Sequence, residues 1–260
     1  MKTNTIHLLE IVVLFVCFIS CESKDEKLVR QAGELINKQD LEGAVQLIDQ
    51  AATLNPENTK AYLLKCKVFL LLNSNIQADE YLEKALTDTE YDSDGDLFFE
   101  MGNLYAKANQ YENAIRCYQV AVRNGEEYSH SYALTSNPSP GAETKWFRSF
   151  SFYFFALGNA YAMNGDCREA LNSYNSAIGA ANKGMQSRDL MQEGVDLAFS
   201  GEKKDRIDYR EYVGAFLYNR GLIFSQLNQF SEANEDLNQA KELNYIRELA
   251  LDQSKINCKK

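Results

Sequence analysis

The chain has 260 residues, 45% of them hydrophobic and 25% charged, which places it among globular proteins and makes it long enough for one extended domain. Its formal net charge of -10 argues against a nucleic-acid-binding protein, because phosphate backbones attract basic surfaces. Only three prolines interrupt a sequence rich in strong helix formers, so we expect an all-α fold.

The first residues have the pattern of a targeting signal. Lys2 precedes an apolar run from Ile11 to Ile19, which is shorter than a membrane span of about 20 residues and is followed by Ser20 and Cys21. The ending at Cys21 resembles the lipobox of bacterial lipoproteins. That resemblance implies that the signal, residues 1–20, is removed and that Cys21 is the lipidation site, with residues 21–24 as a tether. The alternative is an ordinary secretory signal with a coincidental cysteine.

The tract that follows the cysteine, residues 22–26, is rich in charge. It resembles the export signal of Bacteroidota lipoproteins, which implies a cell-envelope protein anchored to the outer membrane and facing either the periplasm or the cell surface. The same residues also fit a solvated charge run that begins the first helix. The sequence leaves both interpretations open.

Small residues recur along the rest of the chain at spacings of twelve and then seven residues, five times in all. The five triplets are Ala32, Ala44 and Ala51; Cys66, Ala78 and Ala85; Gly102, Ala114 and Ala121; Gly158, Ala170 and Ala177; and Gly221, Ala233 and Ala240. Four residues after each middle member stands a large apolar residue: Ile48, Leu82, Tyr118, Tyr174 and Leu237. A small residue on one helix lets a large residue of the next helix approach closely, so we expect pairs of helices that bury their faces against each other.

This pattern resembles the tetratricopeptide repeat, a helix-turn-helix unit of about 34 residues. The resemblance implies an α-solenoid of about five units within a domain at 25–257, with units at about 25–58, 59–92, 95–128, 151–184 and 214–247. Two insertions, 129–150 and 185–213, break the period, and such insertions are expected to form loops. A C-terminal capping helix near Tyr245 to Ile256 is expected to cover the last unit.

The side chains available for chemistry argue against an enzyme. His130 is the one histidine left after removal of the signal, which excludes a two-histidine metal site and disfavours a nucleophile–histidine pair. No glycine-rich phosphate loop is present, so we expect no cofactor, metal or catalytic residue. The cysteines Cys66, Cys117, Cys167 and Cys258 match no metal template, and we expect them to be thiols rather than disulfides.

Residues 92–96 carry three aspartates at alternate positions, as at the start of a calcium loop. The rest of that loop is missing, since Leu97 stands where the loop needs glycine and Asn103 where it needs glutamate. We therefore expect a turn whose polar side chains cap the next helix.

The resemblance also implies a binding surface on the first helices of the units. The residues at the family's peptide-contacting positions include Phe99, Asn103, Lys107, Phe152, Phe155, Asn159, Met163, Tyr218 and Gln226. Asn103 and Asn159 stand where family members hold a peptide backbone or a terminal carboxylate. The cations of a carboxylate clamp are mostly missing, which favours an aromatic groove for an apolar segment. The alternative is that these residues contact the insertions and cap the groove themselves.

The segment from Trp146 to Phe155 holds more aromatic residues than the repeat requires. Trp146, Phe150 and Tyr153 could share one helix face, which either packs on the insertion at 185–213 or forms a docking patch.

These features together predict a membrane-anchored scaffold that binds a protein or peptide partner in the bacterial cell envelope. A surface lipoprotein that binds glycans or nutrients is the alternative, since such proteins also use tetratricopeptide helices with aromatic platforms.

Overall fold

The computed structural model describes residues 22–87, 94–133, 140–195, 209–245 and 247–259. Within these ranges the regular structure is helical, as the composition predicts, and no strand occurs. The α-helices are α1 (Lys24–Asn37), α2 (Leu41–Leu54), α3 (Thr59–Leu71), α4 (Asn75–Thr87), α5 (Gly95–Lys107), α6 (Tyr111–Ala133), α7 (Pro140–Asn164), α8 (Cys167–Val195), α9 (Tyr209–Gln226) and α10 (Phe230–Glu242). They belong to two compact units, residues 1–90 with α1 to α4 and residues 91–260 with α5 to α10.

The charged tract at residues 22–26 begins α1. The Ser23 hydroxyl accepts from the Glu26 backbone N–H, and the Glu26 carboxylate accepts from the Ser23 N–H, which completes a capping box. Asp25 is buried and accepts hydrogen bonds from Asn55 and Asn58, both at 2.9 Å, so it joins the start of α1 to the turn before α3. The tract therefore begins the first helix, as one of the two interpretations expects, but it is not solvated throughout, since Asp25 is buried.

The turns inside the helix pairs have a common geometry. Each contains a residue with positive φ just after the first helix: Gln39, Asn73, Asn109, Gly165 and Asn228. The next residue donates its N–H to a carbonyl near the end of that helix: Leu35, Phe69, Tyr105, Tyr161 and Phe224. A left-handed residue at this point ends a helix and satisfies its last carbonyls, so the second helix can turn back on the first.

The small residues of the first helices lie where the sequence pattern places them. A Cβ at Gly102 would come within 2.4 Å of the Tyr118 ring, and one at Gly158 within 2.7 Å of the Tyr174 ring. Both tyrosines are buried, at 2% and 0% exposure. The expected approach of a large residue to a small one across each of these helix pairs is confirmed.

The prediction that both insertions form loops is wrong for the parts that the structure describes. Residues 129–133 continue α6, α7 begins at Pro140, and α8 continues to Val195. Residues 134–139 and 196–208 lie outside the described part of the chain. The extension of α8 is rich in strong helix formers, among them Met185, Gln186, Arg188 and Leu190.

The segment expected to form a capping helix has another structure. It consists of two one-turn 3-10 helices, Arg247–Leu249 and Gln253–Lys255, joined by extended backbone. We call residues 247–259 the C-terminal segment. It covers the last unit as expected, since Ile256 is 5% exposed and belongs to the core of α7 to α10.

The expectation for the cysteines is half right. Cys66 and Cys117 are buried thiols, whereas Cys167 and Cys258 form a disulfide across 91 residues of sequence. The disulfide fastens the C-terminal segment to the start of α8. Among the helices of the described residues, none has the length and apolar character needed to cross a membrane.

Candidate functional site

A cavity of about 510 Å³ lies within the second compact unit, between α5, α7 and the C-terminal segment. Its lining includes these residues that the sequence assigned to the binding surface: Phe99, Asn103, Phe152, Phe155, Asn159 and Met163. Helix α6, which pairs with α5, adds Tyr111 and Tyr118 to the lining. The C-terminal segment adds residues 249–252 and Lys255. The volume is within the range of about 300–1,000 Å³ that small ligands and inserted side chains occupy. We call this cavity the pocket.

Both asparagines in the wall of the pocket are hydrogen-bonded to a tyrosine, of which Tyr118 lines the pocket and Tyr174 is buried behind it. The Tyr118 hydroxyl donates to Asn103 Oδ1 at 2.8 Å, and the Tyr174 hydroxyl donates to Asn159 Oδ1 at 2.8 Å. Burial raises the pKa of Tyr118 and of Tyr174 above the ordinary value of 10.0, so both hydroxyls remain protonated donors. In both pairs the tyrosine hydroxyl occupies the carboxamide oxygen of the asparagine.

The orientation of Asn159 follows from a chain of contacts that begins at the backbone. The Leu251 N–H can only donate, and it donates to Asn219 Oδ1 at 2.9 Å; the Leu249 carbonyl can only accept, and it accepts from Asn219 Nδ2 at 3.1 Å. Asn219 Nδ2 also donates to Asn159 Oδ1 at 2.9 Å. Asn159 therefore uses its oxygen twice, and its Nδ2 is the group left to donate into the pocket.

Aromatic rings form the apolar part of the wall. Phe99 lies 4.8 Å from the Tyr153 ring, and Tyr153 donates its hydroxyl to Asp96 at the start of α5. Phe152 packs edge-on against Tyr212 of α9 at 4.7 Å. These contacts fix α7 against its neighbours on both sides, so the helical part of the wall is held by packed side chains.

Phe155 differs from its neighbours in the wall, because it is 4% exposed and packs at 4.5 Å against Phe216 in the core. Phe155 therefore lies between the pocket and the core, and it offers little surface to a ligand.

Not all predicted residues reach the pocket. Lys107 is exposed at the end of α5, and neither it nor Gln226 lines the pocket. Tyr218 stacks on Tyr245 at 4.4 Å and is likewise absent from the lining. The proposed lipidation site, Cys21, lies outside the described residues.

The aromatic segment of α7 packs on the preceding helix pair. Phe150 contacts Gly125 of α6, where a Cβ would come within 2.7 Å of the ring, and Tyr153 contacts α5 as described. The sequence placed this face on the insertion at 185–213 or in a docking patch; residues 196–208 of that insertion lie outside the described part of the chain, so that prediction stays open. The side chain of Trp146 lies outside the described residues.

The aspartate run before α5 has the role predicted for it, since the Asp94 side chain accepts from the Leu97 N–H and caps the helix. Among the described residues, no group of three or more histidine, cysteine or acidic side chains is arranged to hold a metal ion.

The sequence reasoning missed Asn219 and the place of the C-terminal segment in the wall of the pocket. Asn219 is fully buried yet polar, and it lies two residues before Gly221, outside the family's peptide-contacting positions. A buried asparagine must have its amide satisfied, but the sequence does not show by which atoms.

Comparison with known proteins agrees with the repeated helix pairs. Residues 97–127 and 215–246 each match a family described as tetratricopeptide repeat. No curated protein matches the chain significantly.

Solved structures with a similar fold include YrrB, a tetratricopeptide-repeat protein with an unusual peptide-binding site, at 20% identity and a TM-score of 0.53 over 88% of this chain and 91% of that one. MamA is similar at 15% identity and a TM-score of 0.51, over 84% of this chain and 91% of that one. BtubC from P. vanneervenii is similar at 15% identity and a TM-score of 0.50, over 84% of this chain and 78% of that one. At these identities the likeness shows the fold alone.

Proposed function

We propose that this chain, in which two helix pairs match the tetratricopeptide repeat, serves as a non-catalytic scaffold that binds a short apolar segment of another protein in the pocket. Units of this kind bury their own faces by stacking and leave the surface of the first helices for a partner. The structurally similar YrrB has a peptide-binding site, which supports the same class of ligand here.

The paired amides of Asn103 and Asn159 carry this proposal. Each carboxamide oxygen accepts from a tyrosine hydroxyl, and the contact with Asn219 fixes the Nδ2 of Asn159 as a donor before any ligand arrives. A peptide backbone supplies carbonyl oxygens as acceptors, and its apolar side chains fit the rings of Phe99 and Phe152. Donors that need no reorientation lower the entropic cost of binding, which is the advantage of a preorganised site.

We place the scaffold in the bacterial cell envelope, with a lipid anchor at Cys21. The sequence before Cys21 supports this location, since it has the charged start, short apolar core and small residue of a processing signal. The disulfide between Cys167 and Cys258 also supports it, because such bonds persist outside the cytoplasm.

The binding proposal can be tested with peptides selected from a random display library against the full chain carrying Cys21→Ser, which removes the acylation site. Affinity is then measured by fluorescence anisotropy for Asn103→Asp and Asn159→Asp. An aspartate keeps an oxygen for the tyrosine hydroxyl but replaces the donor by a second acceptor. We expect each variant to weaken binding at least about tenfold, which corresponds to about 1.4 kcal/mol.

Asn182→Asp is the matched control, since Asn182 is exposed on α8 and does not line the pocket. It changes charge as the test variants do and should leave the affinity within about twofold. Selected peptides that bind all three variants as tightly as the unchanged chain would refute the role of the asparagines.

The anchor can be tested by metabolic labelling with a palmitate analogue. Cys21→Ser should abolish the label, whereas Cys17→Ser, within the apolar run of the signal, should retain it. A labelled Cys21→Ser chain would exclude acylation at this position as the sole anchor.

A further inference from the structure

The C-terminal segment crosses α7 and α9, the first helices of the last two helix pairs. Just before it, Tyr245 stacks on Tyr218 of α9, and at its end the Lys259 N–H donates to the Gly165 carbonyl in the turn between α7 and α8, at 2.8 Å. In between it contacts Asn219. The segment therefore lies over part of the surface on which the sequence places a groove.

Both polar atoms of the Asn219 carboxamide bind the backbone of this segment. Asn219 donates to the Leu249 carbonyl and accepts from the N–H of Leu251, two residues further along the segment. Ile256 inserts its side chain into the core. Backbone bonds hold the segment, and a buried side chain anchors it, which is the pattern of peptide recognition in a groove.

Several contacts show that the segment is fixed. The disulfide from Cys258 to Cys167 joins it covalently to α8. Gly165 has φ of +86°, and a Cβ there would come within 2.7 Å of the Asn257 carbonyl oxygen, so the two backbones are in close contact. Removing the segment would also leave the fully buried Asn219 amide without its backbone partners, which is costly. A ligand is therefore expected to bind beside the segment rather than to displace it.

We propose that the C-terminal segment is a fixed wall of the binding site, and that it limits the partner to one large apolar side chain with its adjoining backbone amides. This rests on the function proposed above and narrows it. The segment covers the face of α9. An extended peptide therefore cannot lie across α5, α7 and α9, the first helices of the three helix pairs in the second compact unit. What remains open is the pocket of about 510 Å³, where Leu251 and Phe152 supply apolar surface and Asn159, hydrogen-bonded to Asn219, offers the next amide donor.

Two probes test the proposal. The first is a peptide selected as above. The second is N-acetyl-tryptophanamide, a single capped residue with one large apolar side chain and an amide on either side, followed by saturation-transfer NMR. The capped residue tests the pocket even if selection yields no peptide. The proposal that the chain binds a segment of a protein and the proposal that the C-terminal segment is a wall of the pocket can therefore fail separately.

Two kinds of variant alter the wall. Ala250→Glu places a charged side chain on the wall without touching the disulfide, and Gln253→Glu adds the same charge at an exposed position of the segment that does not line the pocket. Cys258→Ser removes the covalent link. Hydrogen exchange at the Leu251 amide, which donates to Asn219, reports whether the segment has come away.

We expect Ala250→Glu to lower the affinity for both probes at least about tenfold. Gln253→Glu should change that affinity less than about twofold. In Cys258→Ser, faster exchange at Leu251 should accompany a similar loss of affinity. The proposal is overturned if Ala250→Glu binds as well as the unchanged chain, or if Cys258→Ser releases the segment and the affinity stays equal or rises. A rise would mean that the segment blocks the site instead of forming it. Slow exchange and full affinity in Cys258→Ser, with loss in Ala250→Glu, would support a wall held by Asn219 without the disulfide.

Discussion

Replacing Gly158 by alanine tests why the repeat needs a small residue on its first helix. The added Cβ would lie 2.7 Å and 2.8 Å from two ring carbons of Tyr174. Carbon atoms in favourable contact are about 3.5–4.0 Å apart, so the ring must move by roughly 1 Å. It has little room, since Tyr174 is fully buried and its hydroxyl is held by Asn159 at 2.8 Å.

Overpacking of this kind costs about 1–3 kcal/mol, while alanine in place of glycine in a helix returns up to about 1 kcal/mol. After a gain of about 1 kcal/mol is subtracted, we expect a net loss of up to about 2 kcal/mol, or a melting temperature lower by up to about 8 °C in a domain of this size, measured by far-ultraviolet circular dichroism. Gly179→Ala is the control. Gly179 is exposed on α8 and a Cβ there meets nothing within 4 Å, so this variant should gain up to about 1 kcal/mol. Equal stability of the two variants would refute the argument from close approach.

Two further variants test contacts elsewhere in the chain. Hydrogen bonds from Ser23, Asn55 and Asn58 hold the pKa of Asp25 well below the ordinary value of 3.8. The stability that these bonds contribute is therefore present above about pH 4 and lost as the pH falls below it. Asp25→Asn should reduce this loss of stability at acid pH in urea titrations, and an unchanged pH profile would contradict the assignment. Arg220 donates to both carboxylate oxygens of Asp236 at 2.7 Å, and Asp236 is 4% exposed. Arg220→Leu leaves this buried charge unpaired and should lower the free energy of unfolding by about 3–5 kcal/mol. Adding Asp236→Leu should recover most of that loss in thermal unfolding, and failure to recover would show that packing, not the charge, is responsible.

The helix pairs could be predicted from the sequence because their packing depends on residues at fixed spacing. Gly102 and Tyr118, sixteen positions apart, must meet whenever two helices turn back on each other, so the pattern of small and large residues reports the contact directly. The same reasoning placed Asn103 and Asn159 on one surface, since both follow the small residue of a first helix.

The C-terminal segment could not be predicted in this way, because its structure depends on contacts distant in sequence. Asn219 satisfies the backbone of Leu249 and Leu251, and Cys258 is joined to Cys167, so tertiary contacts replace the hydrogen bonds of the helix that local propensity favours. Disulfide pairing is likewise not contained in cysteine spacing. The wall of the pocket therefore emerges only from the three-dimensional arrangement.

Photo-crosslinking with a selected peptide is the most direct test of the binding site. The apolar anchor residue of the peptide is replaced by a photoreactive phenylalanine analogue, and mass spectrometry locates the attachment on the full chain. Our account predicts attachment to the pocket, at Phe152, Met163 or Leu251, and loss of attachment in Ala250→Glu. Attachment to the outer faces of α8 or α10, with none in the pocket, would contradict it.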